Sequence, residues 1–419
     1  AWKIIDLRKK ILYTILMIII FRLGSCIPVP LLDPAAMKEI FTSDNSLFGF
    51  IDVISGGAFQ NATIFAMSIT PYINSSIIMQ LLTVAIPALE RLQKQGEDGR
   101  KKIAQITRYG TVVLAFIQAI GLYFMLKSYN AVTNPGLLTA VVVIFTFTAG
   151  TAFLMWLGEQ ITEKGVGNGI SLIIFAGIVS RLPSMAQSLY AYAKGGGIGL
   201  IGVVALLIMI VVVVGLVVMM NEAERRIPVQ YAKRVVGRKM YGGQSTHIPI
   251  KVASAGVIPI IFAMSIMSFP STIAGFFGVT SQTGGFWGGF LKIFSSTSWV
   301  YAILYFLLII FFTYFYTAIQ FNPIEMSNNM KKNGGFIPGI RPGRPTSEYI
   351  SKTLSRITLV GAIFLGLIAI LPIFINLGLG INNFAIGGTS LLIVVGVALE
   401  TVKDMESQML MRHYKGFLE

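Results

Sequence analysis

The sequence predicts an all-α integral membrane protein with ten membrane-spanning helices. Three observations predict it: 54% of the 419 residues are apolar, only 12% are charged, and the uncharged residues gather in long continuous runs. Mean hydropathy is +0.74. A soluble domain carries about 25% charged residues, and an outer-membrane barrel would show alternating segments of about ten residues.

Each crossing needs about 20 largely apolar residues, and runs free of Asp, Glu, Lys and Arg mark the candidates. The first six are 11–21, 62–89, 109–126, 128–158, 165–180 and 195–221. The run 252–291 carries span seven, because Gly284, Gly285, Gly288 and Gly289 disfavour a second helix inside it. Span eight lies in 293–324. The 43 residues 357–399 are too long for one helix and are interrupted at 376–383 and at Gly387-Gly388, so they carry spans nine and ten. The chain starts Ala1-Trp2-Lys3 with no cleavage site in view, so the first apolar segment is expected to direct insertion.

Successive connections must alternate sides, and basic ones stay cytoplasmic. The amino-terminal tail, the even-numbered connections and the final tail hold 27 of the 33 Lys and Arg; the others are Arg22, Lys38, Lys127, Arg181, Lys194 and Lys292. Both termini are therefore expected in the cytoplasm. Two cytoplasmic connections are long. Residues 221–251 read as a basic hairpin turning near Gly242-Gly243, and 321–356 hold a stiff loop with Arg341 between Pro338 and Pro342. Together they form a basic platform suited to RNA phosphates or an acidic protein surface.

The interior of the spans is almost free of titratable residues: Glu159, Glu222, Glu325, Glu400 and Asp404 fall at helix ends. That disfavours a coupled transporter, which needs such a group near mid-membrane. Pro71 in span two and Pro259 in span seven occupy equivalent places in two five-span halves and are expected to kink both helices. Paired interruptions point to a functional centre between halves. The apolar segment 47–59 is too short to cross and reads as a re-entrant helix. No Walker loop, H-E-x-x-H or G-x-S-x-G occurs, and Gly165-Val166-Gly167-Asn168-Gly169 lacks the strand of a dinucleotide site. The single Cys26 and the pair His247 and His413 offer neither a disulfide nor a metal cluster. No catalytic residues, metal or cofactor are therefore expected. A secondary transporter, an intramembrane enzyme and a structural scaffold remain the alternatives.

Seven segments carry a resemblance to one family: Ile54-Ser55-Gly56-Gly57-Ala58, residues 155–162, Gly167-Asn168-Gly169-Ile170-Ser171, Tyr231-Ala232-Lys233-Arg234, Gln244-Ser245-Thr246-His247, residues 337–343 and Gly387-Gly388-Thr389-Ser390. They resemble SecY, the large subunit of the bacterial protein-conducting channel. The resemblance implies two pseudo-symmetric inverted halves, 1–194 and 195–419, opening like a clamshell in the bacterial cell membrane. It implies a plug at about 47–62, with Phe48, Phe50, Ile51, Ile54, Gly56, Gly57 and Phe59. It implies a pore ring of Ile69, Ile73, Ile170, Ile174, Ile261 and Ile393. Spans two and seven become walls of a lateral gate, with Asn74, Ser75, Ile77, Ile78, Leu81, Gln118, Ala263, Ile266 and Met267 as contacts. Tyr231, Lys233, Arg234, Arg238, Arg341 and Arg344 become the docking surface for the SecA ATPase or the ribosome. The implied partners also include the small membrane subunits SecE and SecG, signal-bearing precursor polypeptides and membrane lipid.

Overall fold

The computed structural model describes residues 4–33, 36, 55–184, 186–187, 190, 200–231, 234–236, 239–241, 245–276, 289, 291, 298–379 and 388–415. Phe48, Phe50, Ile51, Ile54, Lys233 and Arg238 lie outside the described residues, as does most of the expected re-entrant segment.

The described chain is mostly helical. Helices α1 (Ile5–Gly24), α2 (Thr70–Ala85), α3 (Pro87–Lys94), α4 (Glu97–Ser128), α5 (Leu137–Lys164) and α6 (Gly169–Val179) come first. After α7 (Leu200–Glu222) come four strands: β1 (Glu224–Tyr231), β2 (Arg234–Val236), β3 (Lys239–Tyr241) and β4 (Ser245–Lys251). Then follow α8 (Ile258–Phe276), α9 (Trp299–Gln320), α10 (Pro323–Lys332), β5 (Gly335–Phe336), α11 (Arg344–Leu379) and α12 (Gly388–Lys415). Among the described residues, α4, α5, α9 and α11 each contain a stretch long and apolar enough to cross a bilayer alone, and α6, α7 and α8 hold shorter apolar segments.

Neighbour relations repeat at an interval of five apolar helices. In the first series α2 packs on α4, α4 on α5, α5 on α6 and α1 on α6; in the second α8 packs on α9, α9 on α11, α11 on α12 and α7 on α12. The series meet along two seams, α8 against α2 and α4, and α12 against α6. Exposed Leu, Ile, Val and Phe cover the outside of α1, α4, α7, α9 and α11, the distribution a lipid-facing surface requires.

Three expectations are corrected. Pro71 does not kink span two: it stands in the first turn of α2, where a missing N–H leaves no helical bond broken. The break comes instead at Ile86, where α2 and α3 meet at 100°. Pro259 likewise opens α8, and the proline inside that helix is Pro270. Finally, the hairpin turns earlier than Gly242-Gly243. Gln230↔Ser245 in the β1/β4 ladder and Arg234↔Tyr241 in the β2/β3 ladder share one register, which runs on to Val236↔Lys239.

Span two is helical only from Thr70, and residues 56–69 are turns apart from Thr63, which forms an antiparallel bridge with Pro28. The 16 residues of α2 rise about 24 Å, less than the hydrocarbon thickness of about 30 Å. The preceding turns are buried in protein: Ala58, Ala62, Ala66 and Ile69 are fully shielded. Gly150 of α5 makes room for them, because a Cβ there would strike the carbonyl of Ile64. Gly150→Ala is expected to cost about 1–3 kcal/mol through overpacking. Gly215→Ala on α7, with nothing within 4 Å, is expected to be neutral or slightly stabilising. Thermal melts of the two detergent-solubilised variants check the contrast.

Candidate functional site

Helices α2, α6, α8 and α12, two from each series, converge on one apolar cluster. Ile69, Ile73, Ile174 and Ile393 are between 0% and 7% exposed within it, and Ile170 and Ile261 pack against its edge. Local structure explains their placement. Ile69 is the residue that caps α2 and Ile73 follows one turn on. Ile170 and Ile174 ride the start of α6, whose position is set by Asn168: its side-chain oxygen accepts from the N–H of Ile170 at 3.1 Å and of Ser171 at 3.3 Å. The Ile170 side chain lies over Gly158 of α5, where a Cβ would come within 2.6 Å of it. β-Branched apolar side chains can close around a chain of any sequence while offering an ion nothing in exchange for its water.

The seam of α8 with α2 and α4 brings together most of the expected gate residues. Asn74, Ser75, Ile77, Ala263 and Met267 are buried, Gln118 is half-buried, and Ile78, Leu81 and Ile266 are exposed. The Ser75 hydroxyl donates to the Thr107 carbonyl at 2.9 Å, a bond from α2 to α4 rather than to α8. Near the same helices, Arg108 on α4 pairs with Glu159 on α5 at 2.6 Å.

The described end of the short apolar segment is pinned from three sides. The Arg22 guanidinium on α1 donates to the Gly56 carbonyl at 2.9 Å. Gly56 has φ +67°, and a Cβ there would meet Ser180 and Gly177 at the end of α6 at 2.9–3.0 Å. Asn61 donates to the Gly57 carbonyl at 2.9 Å, and Phe59 is buried in a second apolar cluster with α4 and α5 residues.

On the basic face, β1 lies between β4 and β5. Their apolar sides bury Ile227, Val229 and Ile250 against Met330, Ile337, Ile350 and Leu354. The Tyr231 ring is half-buried and packs on Gly335, where a Cβ would approach it to 2.9 Å. Arg341 stands exposed in a loop held by two bonds: Thr346 donates to the Arg341 carbonyl at 2.8 Å and Ser327 to the Gly343 carbonyl at 2.7 Å. Gly339 and Gly343 take φ +81° and +106° there, which favours glycine. Arg344 is also exposed and pairs with Glu348 at 3.0 Å. Arg234 belongs to β2. On α3, the Lys94 ammonium bonds Glu90 at 2.6 Å and holds its carboxyl below the usual range.

Sequence reasoning missed the joint built on residues 165–169. The Val166 N–H donates to Thr14 of α1 at 3.1 Å, the Gly169 N–H to Thr162 of α5 at 2.9 Å, and the Gly167 N–H to Asp404 of α12 at 2.9 Å. Gln408 donates to the same carboxylate at 3.0 Å and accepts from Lys10 at 3.1 Å. The visible signal was the density of Gly and Asn before an apolar run, which reads as packing once the dinucleotide reading fails.

Comparison with known proteins agrees with this architecture. The SecY family model matches residues 63–402. "Protein translocase subunit SecY" of Streptomyces coelicolor is 48% identical over 435 aligned residues, covering 100% of this chain and 98% of the relative. The protein of the same description from Halalkalibacterium halodurans is 48% identical, covering 99% of this chain and 97% of the relative. Among solved structures, "The structure of a protein conducting channel" superposes with a TM-score of 0.66 at 19% identity, covering 98% of this chain and 94% of that one. "Sec61 in the Canine ribosome-channel complex from the endoplasmic reticulum" gives 0.62 at 18% identity, with the same coverages. At those identities the structures speak for the fold, and the long, close matches to the relatives settle the family: the chain belongs to the SecY family.

Proposed function

We propose that the chain is the pore subunit of a protein-conducting channel, translocating secretory precursors across the cell membrane and releasing apolar segments sideways into lipid. The observation that carries this reading is the convergence of α2, α6, α8 and α12 on one cluster holding Ile69, Ile73, Ile174 and Ile393, with Ile170 and Ile261 at its edge. Ten spans in two inverted halves, 1–194 and 195–419, surround it, with both termini cytoplasmic. The ring grips a moving polypeptide and excludes ions. The segment of about 47–62 plugs the outer side at rest.

The seam of α8 with α2 and α4 is the lateral gate in this reading. A signal helix leaving through it gains about 0.8 kcal/mol per buried CH₂. Energy comes from outside the chain: the SecA ATPase or a ribosome docks on the hairpin and on the Arg341 loop, and SecE and SecG complete the channel. No catalytic residue, metal or cofactor is assigned. The platform supports docking because the apolar core beneath it and the bonds of Thr346 and Ser327 hold Arg341 in one place.

The direct test is protease protection of a signal-bearing precursor in proteoliposomes containing the chain with its small subunits, SecA and ATP. Protection that requires the signal, SecA and ATP is the expected outcome, and none with correctly inserted protein would reject the channel. Deleting residues 48–59 is expected to raise resting conductance in planar bilayers; an unchanged conductance would remove the plug. Arg341→Glu is expected to slow SecA-driven transport about tenfold or more, about 1.4 kcal/mol, without altering insertion or melting. Transport at the normal rate would remove the docking role of Arg341.

A further inference from the structure

A trough of about 960 Å³ lies between α10 and the first three turns of α11, bordered at one end by Gly343 and Arg344 of the docking loop, while the rest of its lining has no task in the channel reading. The opposite faces of these helices are occupied, since Met330, Ile350 and Leu354 pack against the hairpin. The trough therefore opens away from the hairpin, toward the periphery. Its depth is informative. Helix α9 ends at Gln320 and the uncharged run of α11 begins at Ile357, so the trough sits where the apolar part of the structure gives way to the polar.

Its chemistry changes along one face of α11. Ser347, Ser351 and Ser355 follow at four-residue intervals and line the floor, with Lys352 and Arg356 beside them. Small hydroxyl side chains leave the space open; Ser347 donates to the Arg344 carbonyl at 2.9 Å, and Ser351 and Ser355 supply the donors. Among the described residues no carboxylate pairs with Lys352 or Arg356. The one acid of the lining, Glu348, bonds Arg344. One turn farther along the same face, Leu359, Val360 and Ile363 are exposed. A basic, hydroxyl-lined recess directly above an exposed apolar strip matches a molecule with an anionic head and a hydrocarbon tail.

We propose that this trough binds the phosphate headgroup of an anionic phospholipid, whose acyl chains run down the exposed strip of α11. Lys352 and Arg356 hold the phosphate and the Ser351 and Ser355 hydroxyls bond its oxygens. A soluble anion or an RNA would need the basic groups alone and would make no use of the apolar strip. Arg341 and Arg344 are left unaltered in the test, so that loss of lipid is not confused with loss of motor docking.

The experiment is native mass spectrometry of the full chain in detergent, titrated with phosphatidylglycerol or phosphatidylcholine. Phosphatidylglycerol is expected to bind roughly tenfold more tightly or better, as two basic side chains acting on one phosphate imply. Lys352→Gln with Arg356→Gln is expected to abolish that preference, while Arg225→Gln with Lys331→Gln, an equal loss of charge outside the trough, is expected to keep it. Ser351→Leu, which fills the floor and leaves every charge in place, is expected to weaken binding as well, and it decides the matter if the double variant fails to fold. Equal losses in the trough variant and its charge-matched control would overturn the proposal. So would displacement of the lipid by glycerol 3-phosphate at equal concentration, which identifies a free-phosphate site, or by an acidic peptide or RNA oligonucleotide, which identifies a macromolecular one.

Discussion

Buried backbone that is not helical survives only if other parts of the protein satisfy its N–H and C=O groups, and the largely buried stretch 55–69 imposes that requirement on everything around it. The Val29 N–H donates to the Ala62 carbonyl and the Ile64 N–H to that of Ile27. Thr63 donates from its side chain to the Ala58 carbonyl, Phe59 donates to the Ser55 hydroxyl, and Arg22 reaches the Gly56 carbonyl. Side chains withdraw to let the segment in. A Cβ on Gly24 would strike the Phe65 ring, and one on Gly150 would strike the Ile64 carbonyl. The arrangement of α1, α5 and α6 follows from wrapping this stretch.

A second constraint joins the two series of helices away from the α8 seam. The Asp404 carboxylate accepts from the Gly167 N–H and from Gln408, and Thr401 lies against Gly167, where a Cβ would come within 3.2 Å. Lys403 on the same helix pairs with Glu222 of α7 at 2.7 Å. These polar ties join the residues before α6 and the end of α7 to the middle of α12, and the Lys403–Glu222 pair is partly exposed, so water offsets part of the cost of ion pairing. The α8 seam is built differently: Ile77, Ala263 and Met267 are buried there, and the Ser75 bond stays within the first series. Apolar contact is non-directional, so the packing of these three side chains fixes no hydrogen-bond geometry across the seam.

Polar side chains inside the spans follow the same economy of bonding. Thr83, Thr111, Thr313 and Thr317 each donate to the carbonyl four residues earlier in their own helix, at 2.6–2.7 Å. They ask nothing of a neighbouring helix or of a substrate. A group that coordinates a transported ion would instead point toward a cavity. The interior therefore combines apolar packing with hydroxyls that bond within their own helices, while the buried hydroxyls of Ser68, Thr70, Thr151 and Tyr305 have no partner among the described residues.

How far the sequence alone could be read is clearest at particular residues. The class of fold was determined by composition and by runs such as 128–158, since length and apolarity are sufficient to demand a helix in lipid. The basic hairpin and the stiff Arg341 loop were legible because alternation, proline and glycine act locally. The prolines were misread as kinks: a proline disrupts a helix or starts one according to where the helix begins. Here that was decided by residues 56–69 packing on α5. The hairpin turn was misplaced because glycine pairs attract the eye, whereas the register was set by β1 pairing with β4 along its whole length. Only the tertiary structure brought Ile69, Ile73, Ile174 and Ile393 into one cluster and gave Gly167 its partner 237 residues away. An isoleucine in a membrane helix satisfies lipid, a neighbouring helix or a pore equally well, and which of these it meets is a property of the packing, not of the residue.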